Sequence, residues 1–303
     1  MKLVMRFLVG TSLLHAMLLF GVALLPAEEP ASAACAPNYT YAQHLVDEAL
    51  AEHPGLTALV LHMTPPGSAD NVVIASNIWL TGDKSDDDDV GVFTSGKTMT
   101  EMNKAGTKFE VQGVLTNVDG MPIGSAATVF PYHVGVDKAA LVQQAAAIRA
   151  ELSKRILDPQ NIMEAYPFDP QIPSRTYAQK LVDQSLSANP DVLVLVIHAM
   201  PPNRKSNVIL GSNIGRIGKK SDEEDTAASK TGEGLVKLGD SKTRYEVILP
   251  LKDSGGELIG SLTVALRADT NTTETKAKAR AEKVRDALSS HISDRAALFD
   301  PVR

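Results

Sequence analysis

The feature that most constrains this sequence is an internal repeat at an offset of 136 residues. The segment YAQHLVDEAL, which begins at Tyr41, returns as YAQKLVDQSL at Tyr177, and the alignment needs no gap until Ile156 and Ile292. A period of this size is too long for a solenoid unit and has the length of an ordinary domain. The sequence therefore predicts a duplicated domain, whose two copies should fold alike.

The segment between the copies, residues 158–175, contains four prolines. Proline blocks helix interiors and opposes strand pairing, so this composition is typical of a linker. We therefore expect one domain over residues 38–157, called repeat one, and a second over residues 176–303, called repeat two.

The first 33 residues have the pattern of a secretory signal peptide. Basic residues precede a largely apolar run from Phe7 to Leu25, and Ala31 and Ala33 then form an A-x-A cleavage pattern. This pattern predicts a cleaved leader and a periplasmic or secreted protein. An uncleaved anchor helix is the alternative, because the apolar run approaches the length that spans a bilayer.

Cys35 is the only cysteine, so no intrachain disulfide can form. Its position beside the expected cleavage site raises the possibility of a lipoprotein. We disfavour that interpretation, because Ser32 stands where a lipidation signal normally has a leucine-like residue.

Each copy shows the same order of predicted elements. An opening amphipathic helix ends before Pro54 or Pro190, and an apolar run such as VLVLVIHAM follows as a strand. A hairpin partner, a short helix, two or three further strands and a closing amphipathic helix complete the copy. Strands that follow one another usually pair antiparallel, so the expected class is α+β, with one sheet face open for a ligand pocket.

The acidic stretch after the second strand has a local structural explanation. Ser221 and Glu224 stand at capping-box spacing, as do Ser85 and Asp88, so each serine is expected to cap the short helix. The acids behind each serine would then lie in the first helical turn, where negative charge is favoured. Two glycines stand where the C-terminal caps are expected: Gly96 and Gly232.

The segment SNIGRIGKKSDEEDTAASKTG, followed by RYEVILPLKDSGGELIGSLTVAL, resembles the Cache or PDC-type extracytoplasmic sensor domains, which are relatives of the PAS fold. The resemblance covers most of residues 41–156 and 177–292. It implies two tandem PAS-like domains, each an antiparallel sheet with a long N-terminal helix and a C-terminal helix. It also implies that the sheet binds a small molecule and reports it to a signalling partner.

Such domains commonly sit between the membrane helices of a receptor. Here eleven residues follow Ile292. We therefore expect any signal to pass through a separate, membrane-bound signalling protein.

Seven residues are candidate ligand contacts. A histidine ends the first strand of each copy, and an asparagine lies between the second strand and the loop. An arginine occurs only in repeat two, and an aromatic residue begins the strand after the short helix. The candidates are His62, Asn77, Phe109, His198, Asn213, Arg216 and Tyr245. The structural alternative is a pair of backbone-bonded histidines, turn-forming asparagines and core aromatics.

Neither a metal nor a cofactor is expected. The acidic runs Asp86–Asp89 and Asp222–Asp225 lack the EF-hand order of ligands, and helix capping explains them better than calcium does. One histidine per copy supplies too few ligands for a structural zinc site.

Composition and missing motifs narrow the function further. Aromatic residues make up only 5% and the net charge is −6, so nothing indicates nucleic-acid binding. The nucleophile elbow, the zinc-protease motif and the phosphate-binding loop are all absent, which leaves catalysis open but disfavoured.

The resulting hypothesis is an exported, non-enzymatic protein of the sensor type that binds an unidentified small molecule. Two alternatives remain. One is an enzyme or accessory factor with an unrecognised active site, and the other is a structural protein-interaction module.

Overall fold

The computed structural model describes residues 39–239 and 241–302. These residues belong to one compact unit that contains both repeats. The expected signal peptide and Cys35 lie outside the described residues.

Both repeats contain the same series of helices and strands. Repeat one contains α1 (Tyr41–Glu52), β1 (Ala58–Met63), β2 (Val72–Ser76), α2 (Asp87–Ser95), β3 (Met99–Met102), β4 (Lys108–Thr116), β5 (Pro122–Pro131) and α3 (Lys138–Ser153). Repeat two contains α4 (Tyr177–Ala188), β6 (Val192–Ala199), β7 (Val208–Ser212), α5 (Glu223–Thr231), β8 (Leu235–Leu238), β9 (Arg244–Lys252), β10 (Leu258–Arg267) and α6 (Glu274–Ser289). Short 3-10 turns lie at Asn161–Met163 and Ala296–Phe299.

Each repeat forms a five-stranded antiparallel sheet. The strand order is β2-β1-β5-β4-β3 in repeat one and β7-β6-β10-β9-β8 in repeat two. The predicted α+β class is confirmed, and three strands follow the short helix in each copy.

The two faces of the first sheet carry different helices. Leu59 and Leu61 pack with residues of α1 and α3 in the main core of repeat one. Because side chains alternate along a strand, Val60 and His62 lie on the opposite face, beside α2. Val60 belongs to a separate small apolar cluster with Val73 and Ala127. The helices α1 and α3 therefore cover one face, and the other face is shared between α2 and a cavity.

The short helices α2 and α5 begin one residue later than the sequence predicted. The N-cap of α2 is Asp86, whose carboxylate accepts from the backbone N–H of Asp89, while Asp89 accepts from the N–H of Asp86. In α5 the N-cap is Asp222, which accepts from Asp225. The prediction that serine caps these helices was wrong.

The two serines have a different partner. Ser85 Oγ lies 3.0 Å from His62 Nδ1, and Ser221 Oγ lies 2.9 Å from His198 Nδ1. An aspartate stands next in sequence and caps equally well, so the serine is free to bond the histidine of the sheet.

The glycine caps at the other ends of these helices are confirmed. Gly96 and Gly232 have φ angles of 71° and 75°, the left-handed region that glycine enters without steric cost.

The repeats contact each other through the linker and α1. Tyr41 Oη lies 3.1 Å from the carbonyl oxygens of both Arg155 and Asn213. The side chain of Asn161 donates to the carbonyl oxygen of Ile214 at 2.8 Å. These buried hydrogen bonds hold the loop that follows β7 against the linker.

A buried ion pair forms a second contact between the repeats. Asp119, in the β4–β5 turn, pairs with Arg244 at the start of β9, and the side chain of Asp119 is only 1% exposed. Arg267 also donates to the backbone carbonyl of Asp119 at 3.1 Å. The turn of repeat one is therefore held by two arginines of repeat two.

None of the helices in the described part of the chain has the length and apolar character needed to cross a membrane.

A close backbone contact joins β5 to β1 beside His62. A Cβ on Gly124 would lie 2.0 Å from the carbonyl oxygen of His62, and Gly260 has the same relation to His198. Only glycine fits where two backbones approach this closely.

We expect Gly124→Ala to lower the free energy of unfolding by about 1–3 kcal/mol or more, because the backbones must separate to admit a methyl group. Gly91→Ala, inside α2 with nothing within 4 Å of the added Cβ, should raise stability by about 1 kcal/mol. Urea denaturation of both variants measures these changes. Equal stability of Gly124→Ala and the wild type would contradict the close contact.

Removing Asp119 should also destabilise the chain, because it leaves the largely buried guanidinium of Arg244 with Glu246 as its one remaining carboxylate partner. We expect Asp119→Ala to cost about 3 kcal/mol in urea denaturation. The control is Asp191→Ala: Asp191 pairs with Arg280 but is 52% exposed, so its loss should cost less than about 1 kcal/mol. Similar costs for the two variants would show that the Asp119 pair does not stabilise the contact between repeats.

Candidate functional site

A cavity of about 230 Å³ lies on the α2 face of the first sheet. Its apolar floor is formed by Val60, Ala127 and Val129, from β1 and β5. Ile78 and Leu80, from the loop after β2, also line it. Because β3 and β4 contribute further walls, four strands, one helix and one loop surround this space, which we call the repeat-one cavity.

The polar lining of the repeat-one cavity is dominated by carboxylates. They are Asp86, Asp88, Asp89, Glu101 and Glu110. The other polar lining residues are His62, Thr100 and Gln112, so no lysine or arginine of the described residues lines the cavity.

Burial and mutual repulsion affect the acidity of these groups. Burial raises the pKa of Glu110, and the negative charges of Glu101, Asp89 and Asp86 raise it further. Burial also raises the pKa of Asp89, against the opposing effects of His62 and of hydrogen bonds from its neighbours. Both carboxyls therefore hold a proton more readily than an exposed acid does.

His62 connects this cavity to α2. Its Nδ1 lies 3.0 Å from Ser85 Oγ and 3.2 Å from Asp89 Oδ2. Ser85 donates its one hydroxyl proton to Asn71 Oδ1 at 2.6 Å, so it accepts from Nδ1–H of the imidazole. Gln112 donates to the other oxygen of Asp89. The first sheet is thus bonded to the N-terminus of α2.

The Ser–His–Asp grouping in repeat one does not have the geometry of a catalytic triad. In a triad the serine and the aspartate contact opposite nitrogens of the imidazole. Here Ser85 and Asp89 contact the same nitrogen, Nδ1 of His62.

In repeat two the histidine contacts its two partners through opposite nitrogens. Ser221 lies at Nδ1 of His198, and Asp225 Oδ1 lies 3.4 Å from Nε2. All three side chains are buried, and Thr263 also donates to Asp225 Oδ1 at 2.6 Å. These bonds join β6 and β10 to the start of α5, so the grouping holds α5 on the sheet.

Burial keeps the histidine of repeat two neutral and makes its aspartate hold a proton up to a higher pH than an exposed carboxyl does. Burial lowers the pKa of His198 to about 4. Burial also raises the pKa of Asp225 to about 7, with Asp222 adding to the increase. Near neutral pH the imidazole is therefore uncharged.

Repeat two has a lysine where repeat one has Glu101. This residue, Lys237, forms ion pairs with Glu224 and, at 3.8 Å, with Glu246. Burial opposes the charge of Lys237, but Glu224 and then Glu246 outweigh that effect and raise its pKa. The second sheet therefore supplies its own cation on the α5 face.

The predicted asparagines bond to backbone groups. Asn77 accepts from the N–H of Leu59 at 3.0 Å and donates to the carbonyl of Thr57. Asn213 accepts from the N–H of Leu195 and donates to the carbonyls of Leu193 and Lys154. These amides hold the start of the loop to the first strand of each repeat.

The remaining candidates lie away from the cavity. Phe109 belongs to the core between the first sheet and α1 and α3, and Tyr245 packs against the core of repeat two. Arg216 Nε donates to Glu164 of the linker at 2.9 Å. Of the seven candidates only His62 lines the repeat-one cavity. A ligand role for any of the seven stays a prediction.

The acidic lining was not predicted, because Asp86–Asp89 were interpreted as helix-cap residues and Glu101 and Glu110 were not among the candidates. Two signals could have found it. Glu110 and Gln112 share the strand parity that places them opposite Phe109, on the face away from the core. The exchange of Glu101 for Lys237 at equivalent positions is also visible in the repeat alignment.

A larger groove of about 830 Å³ lies in repeat two, beside α5. It is bordered by the turn after β6, one side of the helix and the start of β10, and it carries Lys205, Lys220, Lys230 and Arg295 as well as Asp222 and Glu223. A ligand there would meet mixed charge on a helix flank. We regard the smaller repeat-one cavity as the better candidate, because four strands enclose it and its charge is of one sign.

The carboxylates of the repeat-one cavity do not converge as metal ligands do. Among the described residues, the group of three acidic or histidine side chains whose ligand atoms lie within 4.8 Å of one another is Glu52, His53 and Glu151. It lies between α1 and α3, and both glutamates are exposed. Exposed acids of this kind are common without an ion.

No protein-family model matches this sequence, and no curated protein matches it. Solved structures that overlap with it include the cofactor-binding GAF domain of the nutrient sensor CodY from Clostridium difficile, with 17% identity, 51% of this chain and 97% of that chain covered and a TM-score of 0.26. Another is the nlh2 GAF domain of A. aeolicus in an inactive state, with 14% identity, 38% and 81% covered and a TM-score of 0.29. Overlaps this partial assign neither a family nor a ligand.

The buried pair His198 and Asp225 predicts a pH dependence of the free energy of unfolding that appears only when one member of the pair is replaced. Between about pH 4 and 6.5 the unfolded chain carries a proton on His198 and the folded chain carries one on Asp225. Both states bind the same number of protons, so the pair adds no slope to stability over this range.

Asp225→Asn removes the group that binds a proton in the folded chain. His198 then protonates in the unfolded chain first, so stability should fall, relative to the wild type, as pH drops from 6.5 towards 4, by about 1–3 kcal/mol. Urea denaturation at several pH values measures this difference, and His198→Gln combined with Asp225→Asn should abolish its pH dependence. A difference independent of pH in the single variant would show that the histidine is not held neutral.

Proposed function

We propose that this chain is an exported, non-enzymatic protein of the sensor type, and that repeat one binds its small-molecule ligand. The observation that supports this best is the repeat-one cavity, which combines an apolar floor with a few polar groups beneath a short helix. Small-ligand sites are usually built in this way.

The finer architecture belongs to the same proposal. In each repeat we assign a Cache-type, PAS-like domain to the antiparallel sheet with its opening and closing helices. The resemblance of the SNIGRIGKK segment and the following hairpin supports this assignment, and the leader-like pattern of residues 1–33 supports export.

The two repeats differ in how they would contribute. Repeat one offers the cavity, whereas repeat two carries Lys237 between two glutamates at the corresponding position. We assign ligand binding to repeat one and a supporting role to repeat two, which holds the β4–β5 turn through Arg244. A membrane-bound signalling protein is the partner that we expect to read the ligand-bound state.

The chain provides a natural reporter for this proposal. Trp79 is the only tryptophan and lies between Ile78 and Leu80, both of which line the cavity. Its side chain is 95% exposed, so its emission shifts when a change in this loop moves the ring out of water.

We expect a ligand found in a panel of amino acids, carboxylates and amines to change Trp79 fluorescence and to raise the midpoint of thermal unfolding. Ala127→Leu fills the floor of the cavity and should weaken that binding at least about tenfold. The control is Ala265→Val in repeat two, which introduces the side chain that Val129 has at the equivalent position of repeat one and should leave the affinity unchanged. Unchanged affinity in Ala127→Leu would refute the assignment to this cavity.

A further inference from the structure

The acidic residues of the repeat-one cavity can be compared with the residues at the equivalent positions of repeat two. Its acidic positions Asp86, Asp89 and Glu110 are acidic again in repeat two, as Asp222, Asp225 and Glu246. One position reverses its charge, because Glu101 of β3 corresponds to Lys237 of β8. The strands that carry these two residues pair in the same register with β4 and β9.

The ammonium group of Lys237 shows that the acids shared by the two repeats can bind a cation. It contacts Glu224, which corresponds to Asp88, and lies 3.8 Å from Glu246, which corresponds to Glu110. In repeat two the cation that these acids bind is therefore a side chain of the chain itself.

Repeat one keeps the acids and lacks the cation. Asp88, Glu101 and Glu110 all line its cavity, and no lysine or arginine of the described residues does. Glu110 is half-buried and lies directly opposite Glu101 in the β3–β4 pair, where two like charges repel, so the cavity is complementary to a positive charge that comes from outside the chain.

The rest of the lining distinguishes an organic cation from a metal ion. Val60, Ala127 and Val129 form an apolar floor, which offers a metal ion no ligand. The cavity acids are also not among the described groups whose ligand atoms converge within 4.8 Å. At about 230 Å³ the cavity accepts a small molecule that combines charge with apolar surface.

We propose that the repeat-one cavity binds a small organic ammonium, with its charged group between Asp88, Glu101 and Glu110 and its apolar body on the floor of the sheet. This inference rests on the proposed function and specifies its ligand class. The ammonium takes the place that Lys237 fills in repeat two.

The first test compares three probes of similar size on the full chain. n-Butylammonium should bind saturably to one site, measured by calorimetry and Trp79 fluorescence. n-Butanol and butyrate, which are neutral and anionic, should bind at least about tenfold more weakly. Equal binding of n-butanol, or tighter binding of butyrate, would overturn the proposal. So would calcium binding that n-butylammonium cannot displace.

The second test exchanges the two residues that differ. Glu101→Lys installs in repeat one the cation of repeat two and should weaken n-butylammonium binding at least about tenfold. The fold should persist, because the change relieves repulsion among carboxylates, and circular dichroism checks this. Wild-type affinity in a folded Glu101→Lys variant would refute the proposal.

The reciprocal variant removes the built-in cation. Lys237→Glu leaves Glu224 and Glu246 without their cation, and n-butylammonium should still bind the repeat-one cavity with wild-type affinity and a stoichiometry of one. Loss of n-butylammonium binding in a folded Lys237→Glu variant would place the site in repeat two and overturn the proposal.

The tests separate the ligand class from the proposed function. If another compound binds and Ala127→Leu abolishes its binding while n-butylammonium does not bind, the ammonium class is wrong and the proposed function stands. If no compound of any charge binds to the folded chain, both fail.

Discussion

A carboxylate removed from water needs a cation or a hydrogen-bond donor, and this requirement organises the face of each sheet that carries the short helix. Part of the need is met locally, since Asp86 and Asp222 cap α2 and α5. The remaining acids depend on residues from other strands. In repeat two Lys237 reaches them, whereas Glu101 adds another negative charge in repeat one. The same fold therefore forms a surface in repeat two whose acids are paired within the chain, and a surface in repeat one whose acids need a cation from outside it.

Much of the fold could be predicted because it depends on short-range features that occur twice. The repeat offset, the glycines that end the short helices and the turns between strands are each encoded within a few residues. Seeing the same pattern in both copies strengthened each prediction, because a chance pattern rarely recurs at a fixed offset. The α+β class and the glycine caps at Gly96 and Gly232 were obtained in this way.

The site was harder to predict because it depends on which face a strand residue occupies. Phe109 and Glu110 are neighbours in sequence, yet one lies in the core and the other lines the cavity. Asn77 and Asn213 have loop positions that suit a ligand contact, but the structure gives their amides to the first strand of each sheet. The N-cap error has a similar cause. Serine and aspartate both suit the position, and only the histidine on the sheet, far away in sequence, decides between them.

The loop after the second strand differs between the copies in what surrounds it. In repeat two Arg216 and the carbonyl of Ile214 are bonded to the linker, while in repeat one Trp79 stands in water. A substitution at the bonded loop therefore also disturbs the linker. The loop in water can be altered one residue at a time while the rest of the molecule stays folded. Duplication has thus left one loop fixed between the two domains and the other as a place where residues can be exchanged without disturbing the interface.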